Sequence, residues 1–282
     1  MSSSSPVSGV TARRFYGACR FGQIHVQAAE PAAGPGDKTA VACFHTSPLS
    51  GVEFRLFQSQ LAADRVVLCP DTPGFGGSDV PPRVPTIPDY AAAMADMLED
   101  AGYGPKGRGP VDLLGTHTGS LIAVELAGAR PDLVRKVILS SLALFSAAQR
   151  AEMLQRYGGP QPLLTDPNFV PKAFQESVIA GHADQSAERR LEFFAERLRA
   201  GTTSWYGPEA SLSYDPIPRL ETMSQPVLLL VVKDILAQNT RDAAALVPTG
   251  TLTDLEAVTT NAPWDAQADL LASAARGFLD GV

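Results

Sequence analysis

The sequence predicts an α/β architecture: a mainly parallel sheet with helices on both faces and a helical insertion. Two observations carry this. Short apolar runs alternate with helical patterns from Ala40 to Leu139 and again from Pro226 to Leu279. Strands alternating with helices imply parallel pairing through helical crossovers. Between residues 145 and 215 the alternation stops and short helical patterns replace it. At 282 residues, with 45% hydrophobic and 19% charged side chains, the chain is one large domain or one domain with an insertion.

Taken in order, Arg14 to Ala28 reads as a hairpin about Phe21-Gly22-Gln23. Residues 30–38 form a Pro/Gly loop, and Ala40 to Phe44 a buried strand ending at His45-Thr46-Ser47-Pro48. A helical stretch spans Gly51 to Ala63. The strand Arg65 to Cys69 runs into Asp71-Thr72-Pro73-Gly74-Phe75-Gly76-Gly77-Ser78-Asp79, too rich in turn residues to be anything but a structured loop. Thr86 is placed to cap a helix with Asp89 three residues on, and that helix runs to about Ala101. Leu133 to Leu139 is another strand. In the insertion, Ala187 to Ala200 carries Leu191, Phe194 and Leu198 on one helical face. Strands at Pro226 to Val232 and Thr251 to Glu256 flank a helix at Gln238 to Leu246, and Trp264 to Leu279 closes the chain as a helix. The division is therefore 1–144 and 216–282 for the core, with 1–12 a disordered tail, and 145–215 for a cap.

Composition excludes several classes. A net charge of −7 leaves no basic patch for nucleic acid. No apolar run approaches the roughly 18 residues of a membrane span, and the start has no basic and apolar signal pattern. Cys19, Cys43 and Cys69 lack metal-site spacing and read as small buried hydrophobes in a reducing compartment, the cytoplasm. No cofactor or metal is called for. The expected partner is a small-molecule substrate; the oligomeric state stays open, a homodimer included.

One stretch organises the rest: Val111-Asp112-Leu113-Leu114-Gly115-Thr116-His117-Thr118-Gly119-Ser120. An apolar strand ends at a glycine, a second glycine follows four residues later, and a helical pattern begins. Small residues are needed there because strand and helix backbones pack closely about a strained turn. This stretch, with His45 to Pro48 and the Asp71 to Ser78 loop, resembles the α/β-hydrolase superfamily. The three correspond to its nucleophile elbow, its oxyanion loop and its Asp-x-Pro-Gly-x-Gly-x-Ser loop. Their order and spacing match from Arg14 to Leu279. The resemblance implies an α/β-hydrolase fold in which residues 145–215 are the cap domain.

The departures from the family pattern set the functional expectation. The elbow's central position, usually Ser, Cys or Asp, holds His117, which suggests an atypical member with His in place of the nucleophilic Ser. The stretch before the last helix, Thr259 to Trp264, holds no His; Asn261 aligns best with that position, and Asp234 with the family's acid. A neutral imidazole is a competent general base; the blander reading of His117 is a degenerate elbow. Asp234 could equally be a surface acid, and Asn261 a turn residue. His45 reads as a hydrogen-bonder of its own loop before it reads as a catalyst, His25 as structural, and His182 as a cap residue that could reach the pocket. Asp71 is expected to brace its loop. Trp205 and Tyr206 read as pocket lining or cap core, and Ser140-Ser141 as a spare hydroxyl pair. The N–H of Thr118, with one from the Thr46-Ser47 region, should form an oxyanion hole. Three functions follow. The first is a lyase-type enzyme using His117 as base without a serine acyl-enzyme, in keeping with secondary metabolism. The second is an esterase or lactonase in which His117 activates water or is acylated. The third is a non-catalytic binder.

Overall fold

The computed structural model describes residues 9–281. The strands and helices are, in order, β1 (Val10–Cys19), β2 (Gly22–Pro31), β3 (Val41–Phe44), α1 (Arg55–Leu61), β4 (Val67–Pro70), α2 (Ile87–Asp100), β5 (Val111–His117), α3 (Thr118–Ala129) and β6 (Val134–Leu142). Four cap helices follow: α4 (Ala147–Tyr157), α5 (Phe169–Phe174), α6 (Ala187–Arg199) and α7 (Tyr206–Leu212). The chain returns through α8 (Ile217–Leu220), β7 (Val227–Val231), α9 (Ala237–Asp242), β8 (Gly250–Asp254), α10 (Pro263–Ala266) and α11 (Ala268–Asp280). Of the expected disordered tail, residues 1–8 lie outside the described residues, and Val10 to Ala12 are instead paired in β1 against Ala29 to Pro31.

The eight strands form one sheet in the order β1-β2-β4-β3-β5-β6-β7-β8. β1, β2 and β4 pair antiparallel, and every pairing from β4 onward is parallel. The central strands are buried on both sides, so β3, β4 and β7 contain no exposed residue. One face of the sheet packs on α2 and α3, through residues such as Met94, Leu121 and Val124. The other packs on α1 and α11, where Phe54, Phe57, Leu271 and Trp264 meet. α2 opens as its sequence requires: Thr86 accepts from the Asp89 N–H, and Asp89 accepts from the Thr86 N–H.

The topology fixes where a ligand goes. From β3 the chain steps outward to β4, then crosses back to β5 on the other side of β3. The strand order reverses there, and a crevice opens at the carboxyl ends of β3 and β5. The helical cap, inserted between β6 and β7, covers it. The helix expected at Gly51 to Ala63 begins as a 3-10 turn over Gly51–Phe54, and the closing helix is broken at Gln267.

Candidate active site

Close packing creates the elbow. A Cβ on Gly115 would come within 2.3 Å of the Gly119 carbonyl oxygen, and one on Gly119 within 2.0 Å of the Phe44 carbonyl oxygen. No larger residue fits between β3, β5 and α3, which is why the motif spaces its two glycines across the turn. The turn throws His117 into the left-handed region, at φ 49° and ψ −120°. That conformation costs of order 1–3 kcal/mol for a non-glycine residue. The imidazole is thereby lifted to the floor of a cavity of about 330 Å³ beneath the cap.

His117 Nε2 lies 3.4 Å from Asp234 Oδ2. This is an ion-pair distance, longer than a well-formed hydrogen bond. Oδ2 has no closer protein partner among the described residues, while Oδ1 accepts from the Leu236 N–H at 2.8 Å. Burial alone would raise the Asp234 carboxyl. The His117 ring and the Ser141 hydroxyl outweigh it and hold Asp234 below the usual carboxylate range. Ser141 is the second non-glycine residue with positive φ, 49°, at a register shift where His117 pairs with Leu142. The pair Ser140-Ser141 thus lies within β6, with Ser141 near the acid. Nε2 is the ring nitrogen that faces Asp234.

The oxyanion loop is shaped by two groups behind it. His45 is fully buried; Nδ1 lies 3.0 Å from the Thr46 carbonyl, and Nε2 accepts from the Thr72 N–H at 2.9 Å. Burial lowers its pKa, so it is a neutral strut that sets the loop. Glu53, also buried, accepts from the Thr46 N–H at 2.7 Å and the Thr46 hydroxyl at 3.0 Å. Burial pushes its carboxyl up, against these bonds and the nearby His117 and Arg189. Thr46 lines the cavity, but its N–H is spent on Glu53, which corrects its expected part as an oxyanion donor. Ser47 and Thr118 also line the cavity. Asp71 braces its loop as expected, accepting from Gly51, Gly77 and His25 at 2.8 Å each.

Two of the contacts that join the cap to the core lie close to this floor. Ser211 Oγ is 2.9 Å from Thr118 Oγ1, over the elbow. Arg189, buried in α6, binds Asp265 at 2.9 Å and the Val52 carbonyl at 2.6 Å, next to Glu53. Trp205 lines the cavity; Tyr206 does not, and packs on the main core while its ring meets Trp205 edge-on.

Residues 39–220 match the family model described as the alpha/beta hydrolase fold. The chain belongs to that family. It is 27% identical over 197 residues to a 3-hydroxybutyrate-oligomer hydrolase of Cupriavidus necator, covering 68% of this chain and 64% of the relative. It is 25% identical over 182 residues to a poly(3-hydroxyalkanoate) depolymerase of Ectopseudomonas oleovorans, covering 63% and 62%. The chain thus spans less than two thirds of either relative. Among solved structures, a thermophilic esterase from Thermogutta terrifontis superposes with a TM-score of 0.71 at 20% identity, over 96% of this chain and 99% of that one.

These findings correct the sequence reading on several points. The elbow of this α/β-hydrolase does not lack serine. Ser120 is buried in the first turn of α3, three residues beyond His117, and its Oγ donates to the His117 carbonyl at 2.6 Å. The turn holds both side chains, so the reading of histidine in place of serine falls. Ser120 stands one residue past the Gly-x-x-x-Gly frame, where a motif centred on the middle position passes it over. Lyase chemistry falls with it: the relatives are named as a hydrolase and a depolymerase, and neither name points to secondary metabolism. The atypical triad does not assemble either. Asn261 is exposed and absent from the cavity wall, because Thr260 binds Gln267 and Trp264 is anchored between Phe54 and Phe57. His182 is exposed on the cap and His25 pairs with Asp71, both away from the cavity. Cys43 and Cys69 are buried, but Cys19 is only half-buried. Glu53 was legible only as an acid among Phe54, Phe57 and Leu61 on an otherwise apolar face. Among the described residues, no group of three or more His, Cys, Asp or Glu could hold a metal ion, and no helix is long and apolar enough to cross a membrane.

Proposed function

We propose that this protein hydrolyses small carboxylic esters, with His117, held by Asp234, as the base that deprotonates the attacking hydroxyl. The observation that supports this best is the His117–Asp234 pair on the floor of a largely apolar cavity that Ser47 and Thr118 also line, and the N–H groups of these two residues are assigned here as the oxyanion donors. Nδ1 of the neutral ring takes the proton as the hydroxyl oxygen adds to the ester carbonyl. The negative charge that forms on the carbonyl oxygen falls to the two N–H donors, and the imidazolium to the Asp234 carboxylate. Collapse expels the alcohol, which takes the proton back from His117; where Ser120 is the attacker the acyl group stays on its oxygen until a water, deprotonated in turn by His117, adds to it and releases the acid. Two hydroxyls can fill the attacking role. Ser120 must first leave the His117 carbonyl, whereas water enters from the cavity. A cytoplasmic setting fits the three free cysteines.

The test is turnover of short-chain p-nitrophenyl and 3-hydroxyacyl esters by wild type, His117→Ala and Ser120→Ala. Hydrolysis that depends on His117 supports the reading; no ester turned over by the wild type sinks it. An acyl adduct on Ser120 in mass spectra, with activity lost in Ser120→Ala, assigns the hydroxyl to Ser120. Retained turnover in Ser120→Ala assigns it to water.

A further inference from the structure

The geometry points to a substrate that carries a free carboxylate, bound by Arg197 on the cap wall. The inference rests on the ester-hydrolase reading and names the substrate class. α6 presents Phe194, Arg197 and Leu198 to the cavity, the i, i+3, i+4 face of one helix. Among the described lining residues Arg197 is the only Lys or Arg; most of the rest are apolar.

The other arginines of α6 are committed. Arg189 binds Asp265 and Glu192, Arg190 donates to the Gly181 and His182 carbonyls, and Arg199 pairs with Glu196. Arg197 differs. Its Nη1 donates to the Ser177 hydroxyl at 3.2 Å, which steadies the side chain, and among the described residues no carboxylate lies within ion-pair distance. Its remaining guanidinium donors form a planar fork that matches a carboxylate bidentately. With the carbonyl carbon beside His117 and the anion at α6, the fitting substrate is an ester whose acyl chain ends in an ionised carboxylate, as in a half-ester of a dicarboxylic acid. Arg197 itself is exposed, so solvent limits the effect.

The experiment compares p-nitrophenyl hydrogen glutarate with its methyl ester, on full-length wild type, Arg197→Gln and Arg197→Lys. The wild type should prefer the acid. Arg197→Gln should lose about tenfold on the acid, through KM, and less than about twofold on the methyl ester. Arg197→Lys should recover part of the loss. Equal losses on both esters, or none on either, overturn the carboxylate site and leave the esterase reading standing. A second readout needs no turnover: glutarate should raise the Tm of the wild type and not of Arg197→Gln. If neither ester is hydrolysed yet that difference is seen, the esterase reading fails and the site stands. Without such a difference the site falls.

Discussion

The floor and the cap of the active-site cavity are built by different physics. The floor is fixed by backbone touching backbone: Gly115 against Gly119, and Gly119 against Phe44. Its polar groups are held by specific hydrogen bonds, as Thr46 is by Glu53 and His45 by Thr46 and Thr72. The outer cap helices have few buried residues, while α7, against the floor, buries Gly207, Ala210, Ser211 and Leu212. α4 and α5 contain none, and α6 buries only Arg189 and Phe194. A surface tolerant of change thus covers a floor that admits almost none. On the function proposed above, catalysis belongs to the floor and selectivity to the cap.

The contrast is broken most directly at Gly119. Alanine there places a methyl against a backbone oxygen that cannot move without unpairing β3. Gly119→Ala should cost more than about 3 kcal/mol, beyond the usual range for overpacking, and the readout is the denaturant midpoint or soluble yield. A normally stable Gly119→Ala would mean the floor is no more constrained than the cap.

Next in size is chemistry without a change in fold. His117→Ala should lower kcat roughly 10²–10⁴-fold, the range for a positioned general base. It should leave stability nearly unchanged, since alanine keeps the Cβ and with it the strain of the turn. Asp234→Asn should cost less, roughly tenfold to hundredfold, because 3.4 Å is too long for a strong hydrogen bond. The sign of its pH dependence follows from the folded carboxyl lying below its ordinary 3.8. The charged form favours the fold above that value, and the gain is lost as pH falls below it. The Tm gap between wild type and Asp234→Asn should therefore close below about pH 4. A gap that widens in acid would reverse the assignment.

The same contrast explains what could be read from the sequence. Gly115 and Gly119, the Thr86–Asp89 cap and the apolar strands follow from local sterics, so they were legible. Asp234 was legible because a strand end leads to it. Asn261 was misplaced because a matching position says nothing of which way a loop faces. That direction is set by Trp264 packing on Phe54 and Phe57, more than 200 residues earlier. The parts played by Ser120 and Ser141 were missed for a related reason, whereas Glu53 left only the faint signal of an acid on an apolar face. The two serines' roles depend on one hydrogen bond or one positive φ, which no residue pattern announces.

On the cap side, Trp205→Ala removes an aromatic ring from the cavity wall. It is only partly buried, so KM should rise roughly three- to tenfold for bulky esters, with a small change in Tm. Unfolding, or an equal loss on every substrate, would put Trp205 in the core.

The smallest expected effect tests whether floor and cap are one unit at all. Ser211 in α7 reaches the elbow itself, 2.9 Å from Thr118 Oγ1, and both residues are buried. Ser211→Ala removes that bond and leaves the Thr118 hydroxyl unpartnered, at a cost of about 1–2 kcal/mol. If α7 folds with the floor, Tm should fall by roughly 2–4 °C per kcal/mol for a chain of this size. KM should hardly move, because Arg189 still ties α6 to the core through Asp265 and Val52. If Tm instead stays put while KM changes, α7 opens independently of the sheet. The cap is then a gate over the floor and not its fixed roof.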